Sequence, residues 1–331
     1  MLDNSKVNNL IKTCLGGLSL RQKEVLEGRY GLDGTESSTL AELGGKYGLT
    51  RERVRQIEAI AIKVVQEKAR GSEFDSFIKT ATDTLKNTGG LRREDLLIED
   101  LAGVAQTNRL KFILEICGKF KYSRDGKDFY PYWYVNDADH KKVGSFISYL
   151  LKNADRENFS VSFVSIAKSL GLNDGAARNY ASVSKKVAMN TFGEIGLSEW
   201  PEINPKTARD WAYLVLRKGR QPLHFTEIAR KVTELRRKQA HAPTIHNELI
   251  KDDKFVLVGK GTYTLKEFGV IPGTAREIIN HFLKKHGPMK ASEVVKMVLK
   301  ERIFKENTVL INLQNRKNFK RLDDGRYATL V

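Results

Sequence analysis

Four side chains in the stretch "GLTRERVRQIE", Arg51, Glu52, Arg55 and Gln56, have the chemistry to read a base pair. An arginine can bridge guanine O6 and N7, a glutamine can pair with adenine N6 and N7, and a glutamate can accept from cytosine N4. Helical spacing puts the four on one side, near a positive N-terminal end. Thr50 is placed to cap that helix, and Val54, Ile57 and Ile62 form a narrow apolar stripe away from the charged set. The plainer reading is a solvated surface helix, since charge runs commonly are that.

The preceding residues shift the balance toward a reader. "STLAELGGKYGLT" has Thr39 and Glu42 at capping-box spacing, then Leu40, Leu43 and Tyr47 at helical spacing, then a Gly48-Leu49 turn directly before Thr50. That order is helix, tight turn, helix. In such a pair the second helix lies in the DNA major groove and the first crosses the backbone.

These residues carry a resemblance. The run "LSLRQKEVLEGRYGL", followed by "STLAELGGKYGLTRERVRQIEAIAIKVV", resembles region four of housekeeping-type bacterial sigma factors over about Leu18 to Val65. The resemblance implies a module that reads the upstream promoter hexamer and docks on the flap of RNA polymerase. It implies base and phosphate contacts from Arg51, Glu52, Arg55 and Gln56, with Thr50 near the DNA backbone. Only 17 residues precede Leu18. No segment downstream resembles the aromatic, basic region two that melts promoters, so promoter opening by this chain alone is not expected. Gly44 suits the family pattern, whereas Gly45 costs roughly 1 kcal/mol of helix propensity against alanine.

The chain of 331 residues has room for two to three ordinary domains or several small ones, and 40% hydrophobic content suffices for folded cores. There is no long apolar run and no cleavable signal, which gives the expectation of a soluble, cytoplasmic protein with no membrane partner. Cys14 and Cys117 have no zinc spacing and are expected as buried apolar residues. None of the six histidines falls in an H-E-x-x-H pattern, "VGKGTY" lacks the order of a phosphate-binding loop, and G-x-S-x-G is absent. No catalytic residue, metal site or cofactor is expected, and the chain is not read as an enzyme.

The net charge of +17 is uneven. Residues 1–70 hold 12 basic and 9 acidic side chains, residues 71–200 hold 18 and 17, and residues 201–331 hold 27 and 14. A surface for double-stranded DNA therefore belongs mainly to the C-terminal part, unless the excess is a diffuse solubilising charge.

Downstream of the first module a form recurs. "GKFKYSRDGKDFYPYWYV", "KVAMNTFGEIGLSEW", "KFVLVGKGTYTL" and "NFKRLDDGRYATL" read as hairpins ending at Val135, Trp200, Leu265 and Leu330, each 65 residues after the last. Asp125-Gly126 and Asp324-Gly325 suit tight turns, because glycine accepts positive φ. Helical patterns precede each hairpin, and helices followed by a hairpin make a winged helix.

The third segment, from about Asn204 to Phe268, resembles the HARE-HTH winged-helix family, to which the N-terminal domain of the RNA polymerase delta subunit is similar. Its "PLHFTEIARKV", "DDKFVLVGKGTYTL" and Tyr263 carry that likeness, and the fourth segment looks like a diverged copy. The expected fold is mostly α. It comprises a sigma-like helix-turn-helix (1–70), then winged-helix-like modules at 71–142 and, weakly patterned, 143–203, a HARE-HTH winged helix at 204–269 and a winged helix at 270–331.

Lys254, Lys260 and Lys266 on one wing, and Arg316, Lys317, Lys320, Arg321 and Arg326 on the next, are candidates to track phosphates. The reading is a sequence-specific DNA-binding transcription factor, sigma-like, acting with RNA polymerase. The alternatives are a polymerase-binding accessory protein with secondary DNA contact and, because HARE-type modules occur fused to such enzymes, a DNA-targeting subunit of a restriction/modification system.

Overall fold

The computed structural model describes residues 3–103 and 106–330. Helices dominate, with small antiparallel sheets between them. Four helices open the chain: α1 (Asn4–Leu15), α2 (Leu20–Tyr30), α3 (Leu40–Tyr47) and α4 (Arg51–Lys68). Capping boxes at Ser19 and Gln22, and at Thr39 and Glu42, start α2 and α3. Glycines in the left-handed region, Gly31 and Gly48, stop them.

Then one pattern, three helices and a hairpin, occurs four times. The first copy is α5 (Asp75–Asn87), β1 (Leu91–Arg93), α6 (Glu94–Ala102), α7 (Thr107–Ile116), β2 (Lys121–Ser123) and β3 (Tyr132–Tyr134). The second is α8 (Asp137–Lys152), α9 (Phe159–Ser169), α10 (Asp174–Val183), β4 (Val187–Met189) and β5 (Ile195–Leu197). The third is α11 (Ala208–Gly219), β6 (Leu223–His224), α12 (Phe225–Arg236), α13 (Ala242–Lys251), β7 (Phe255–Gly259) and β8 (Thr262–Leu265). The fourth is α14 (Ala275–His286), α15 (Ala291–Glu301), α16 (Glu306–Leu313), β9 (Phe319–Arg321) and β10 (Tyr327–Thr329).

In three copies the stretch between the first two helices pairs with the last strand: β1 with β3, β6 with β8, and Met289 with Tyr327. This is winged-helix topology. The final strands begin at Tyr132, Ile195, Thr262 and Tyr327, close to the period in the sequence. Asp125-Gly126 departs from expectation. β2 and β3 are joined by the long stretch 124–131, and Gly126 is not among the residues at positive φ. Gly325, at φ 82°, does make a tight turn. Lys254 and Lys266 also lie away from the wing tip, at the base of the hairpin, where the Lys266 N–H donates to the Lys254 carbonyl.

The chain forms two compact units, the first ending at Ser198 and the second beginning at Glu199. In the first unit a continuous core runs from Val7 through Ala61, Val65, Phe77 and Phe112 to Trp133. The opening helices therefore share their apolar interior with α5–α7. Arg109 of α7 fastens the join, donating to the Leu32 carbonyl at 2.8 Å and to Asn8 Oδ1 at 2.6 Å. Cys14 and Cys117 lie free and buried in that core, and burial pushes each thiol up to about 12. The second copy is clamped on the first: Asn179, 4% exposed, donates to the Thr88 and Leu91 carbonyls, and the Tyr180 hydroxyl to that of Gly89. In the second unit the third and fourth copies have separate cores, one around Ile228, Ile245 and Tyr263, the other around Ile279, Val298 and Phe319.

Candidate nucleic-acid interface

Thr50 caps α4, its hydroxyl accepting from the Arg53 N–H at 3.2 Å. A cap of this kind is worth about 1 kcal/mol. The turn before it leaves no freedom at Gly44, where an added Cβ would stand 2.7 Å from the Leu49 carbonyl oxygen. Gly45 has nothing within 4 Å, so its glycine answers no packing need. Val25, Leu43 and Val54 close a small core under the turn, with Leu40, Tyr47, Leu49 and Ile57 around it. Ile62 packs instead on the larger core, so the apolar stripe of α4 divides between two interiors. Outside the turn, Arg29 ties the motif together, donating to the Ser38 carbonyl at 3.0 Å and pairing with Glu58 at 3.4 Å.

Arg51, Glu52, Arg55 and Gln56 all stand exposed in the first two turns of α4. They are not independent. The Arg55 guanidinium donates side-on to Glu52, Nε to Oε2 at 2.9 Å and Nη2 to Oε1 at 2.7 Å. These hydrogen bonds hold the Glu52 carboxyl below its usual range and raise the Arg55 guanidinium further. A second pair runs beside it: Arg53 donates to Gln56 Oε1 at 3.1 Å. Arg53 was not among the residues expected from the sequence. The helical spacing 53, 56 and 60 was the available signal, and it also brings up Ile60, 54% exposed one turn beyond Gln56.

The basic candidates of the second unit are dispersed. Arg316 and Lys317 lie in the turn after α16, where the Lys317 N–H donates to Asn315 Oδ1 at 3.0 Å. Lys320 and Arg321 follow on β9, opposite Ala328 and Tyr327, and all four are exposed. Arg326 is held by Asp324 at 2.6 Å. Lys260 belongs to the other wing, at the two-residue turn between β7 and β8. The Lys254 ammonium sits 5.7 Å over the Tyr213 ring.

Among the described residues no group of histidine, cysteine and acidic side chains is placed to hold a metal, and no helix is long and apolar enough to cross a membrane.

Residues 14–67 match the family model "Sigma-70, region 4". Over 69 residues the chain is 41% identical to "RNA polymerase sigma factor SigA" of Nostoc sp. (strain PCC 7120), covering 21% of this chain and 18% of that protein. It is 38% identical over 81 residues to "RNA polymerase sigma factor SigA1" of Synechococcus elongatus, covering 23% and 20%, and 38% identical over 76 residues to "RNA polymerase principal sigma factor HrdD" of Streptomyces viridifaciens, covering 23% and 22%. The chain thus spans about a fifth of the length of these relatives. The segment that builds α2, α3 and α4 is similar to sigma-70 region 4, a likeness that takes in the helix-turn-helix and not the tandem copies after it.

Proposed function

We propose that the chain is a sequence-specific DNA-binding transcription factor that works in transcription initiation with RNA polymerase and carries no promoter-melting region in its 331 residues. The observation that supports this is α4. A capped second helix projects Arg51, Glu52, Arg55 and Gln56 into solvent, within the segment similar to sigma-70 region 4. Thr50 stands at the edge of the reading surface, next to phosphate. Polymerase enters as a partner through the relatives' names. The exposed run Arg316, Lys317, Lys320 and Arg321 supplies phosphate contacts from the second unit, with Lys260 a further candidate.

The test is base reading. Arg55→Ala or Gln56→Ala is expected to weaken binding to the preferred site roughly ten- to a hundredfold and to relax preference at one or two base pairs. Non-specific affinity changes little. A selection returning the same consensus with the same affinity for both variants rejects the assignment.

A second reading has its own support. α16 contains neither lysine nor arginine, and α13 has a single lysine at its last position. Both expose aliphatic side chains, Ile311 at 68% and Ile250 at 64%. Such helices suit a protein surface better than a polyanion, in keeping with the delta-subunit likeness of residues 204–269. In that reading the later copies grip polymerase, and deleting residues 204–331 abolishes polymerase pull-down while leaving retention on naked DNA.

A further inference from the structure

The edge of β7 has an unfilled backbone slot. The sheet order β6-β8-β7 leaves β7 with one free side. The Lys266 N–H donates to the Lys254 carbonyl, and hydrogen-bonded pairs alternate in an antiparallel ladder, so Val256 also turns its backbone groups to β8. Phe255 and Leu257 therefore turn theirs outward. The Phe255 N–H closes a local turn on the Asp252 carbonyl, and the Leu257 carbonyl accepts from Arg302. The Phe255 carbonyl and the Leu257 N–H remain.

One acceptor and one donor flanking Val256 are what a parallel strand uses. A residue of an incoming strand opposite Val256 would donate to the Phe255 carbonyl and accept from the Leu257 N–H. The edge already accepts chain in this manner further along. The Ile303 N–H donates to the Val258 carbonyl at 3.0 Å, and an added Cβ on Gly259 would stand 3.0 Å from the Ile303 carbonyl oxygen. Beyond that contact the edge opens into a cleft of about 720 Å³ between the third and fourth copies. Phe255, Leu257 and Phe304 supply apolar wall, and Leu257 is 51% exposed.

The cleft's charge selects the occupant. Lys260 and Lys266 stand on its lining toward the two ends of the hairpin, both exposed. Of the lining acids, Glu277 is committed to capping Thr274, accepting from its N–H at 2.7 Å and its hydroxyl at 2.9 Å. That carboxylate stays ionised, but it is held against the N-terminal end of α14, whose partial positive charge offsets part of it, so Asp253 is the acid standing free against the two lysines.

We propose that this cleft binds an extended protein segment that adds to β7 as a short parallel strand, with acidic side chains toward Lys260 and Lys266 and an aliphatic side chain against Leu257 and Phe304. Strand addition derives affinity from main-chain hydrogen bonds and specificity from alternate side chains. The proposal concerns a surface apart from α4 and from Arg316, Lys317, Lys320 and Arg321; it takes Lys260 out of the phosphate contacts and gives it to the acidic segment, and it stands whether or not α4 reads DNA.

The experiment uses the full chain and three synthetic seven-residue probes: one alternating valine and aspartate, one alternating valine and lysine, and the acidic one with a central proline. Backbone amide spectra report the site. The acidic probe is expected to shift and protect the Leu257 amide, with the other two at least tenfold weaker. Lys260→Glu with Lys266→Glu, both at exposed positions, is expected to weaken the acidic probe tenfold or more while the remaining spectrum keeps its native pattern. Leu257→Pro removes the free donor at an edge position and is expected to abolish binding, with the lysine pair as the check should that variant not fold. Absence of any shift at Leu257 with the acidic probe overturns the proposal. So does equal binding of the proline-interrupted probe, or a DNA duplex that displaces the acidic probe from the same amides.

Discussion

α4 and α16 are each the second helix of a helix-turn-helix pair, and they present opposite surfaces. α4 is 18 residues long, capped by Thr50, and exposes Arg51, Arg53 and Arg55 in its first two turns. α16 is 8 residues long, follows Lys305 as an N-cap that makes no side-chain cap hydrogen bond, and exposes Glu306, Asn307, Thr308 and Ile311. They are anchored differently as well. The far half of α4 is buried through Ala61 and Val65 in a core completed by α7, whereas Val309 and Leu313 hold α16 in the small core of its own copy. Position in the motif therefore does not fix the surface a helix presents. What distinguishes α4 is an exposed polar set on a rod whose distal end is fixed by the next module.

The largest expected effect separates those anchors. Phe112 of α7 is fully buried, and its ring lies 4.9 Å from that of Tyr30 on α2. Phe112→Ala is expected to destabilise the first unit by about 3–5 kcal/mol and, by loosening α4, to erode site-specific DNA binding. Leu313→Ala, beneath α16, is expected to cost about 2–5 kcal/mol in its own copy and to leave the selected consensus unchanged. Thermal melting of each variant beside a binding selection checks both. A consensus lost in the α16 variant and kept in the α7 variant would break the contrast.

A smaller effect tests whether the second unit touches phosphate at all. Each phosphate contact contributes about 0.9 to the slope of log affinity against log salt. Neutralising Arg316, Lys317, Lys320 and Arg321 together is expected to flatten that slope by up to about 3 to 4, with the consensus retained. Ile311→Ala should leave the slope alone. Titrating one labelled duplex across several salt concentrations decides the matter. Parallel lines for the quadruple variant and the parent would give the basic wing to a protein partner instead.

How much of this was legible in the sequence follows from how local each feature is. The Thr39–Glu42 box, the Gly48 turn and the Thr50 cap depend on residues within four positions, and each is present as read. The fourfold helix-and-hairpin form was readable for a related reason: hairpin patterns preceded by helical ones end at Val135, Trp200, Leu265 and Leu330, each 65 residues after the last. Asp125-Gly126 misled, because a dipeptide that suits a tight turn is overruled when the flanking strands pair far from it, at Lys121–Ser123 and Tyr132–Tyr134. The shared core was beyond reach of periodicity, since it brings Leu10 into one interior with Phe112 and Trp133, more than a hundred residues along the chain. Pairing among the candidate residues of α4 was missed for a subtler reason. The spacing of Glu52 and Arg55 permits both an ion pair and two separate base contacts, and only geometry distinguishes them.

The smallest expected effect bears on that pair. While Glu52 holds two hydrogen bonds of Arg55, the guanidinium is partly neutralised before any DNA arrives. Glu52→Gln keeps the shape, removes the charge and frees Arg55 for phosphate. Non-specific affinity is expected to rise severalfold, and the salt slope to steepen by at most about 0.9. Discrimination at the base pair that Glu52 faces should fall, because an amide no longer rejects an acceptor as a carboxylate does. The pH dependence has a definite sign. Arg55's hydrogen bonds depress the Glu52 carboxyl, so the pair is intact above the ordinary carboxylate range and is lost only as pH falls through that depressed value. Parent and variant should therefore differ by a constant factor between about pH 6 and pH 8, and converge only in acid. Fluorescence anisotropy on a duplex lacking the consensus measures the factor. A variant no tighter than the parent would show that the Glu52–Arg55 pair leaves the charge of α4 as available to DNA as it would be without it.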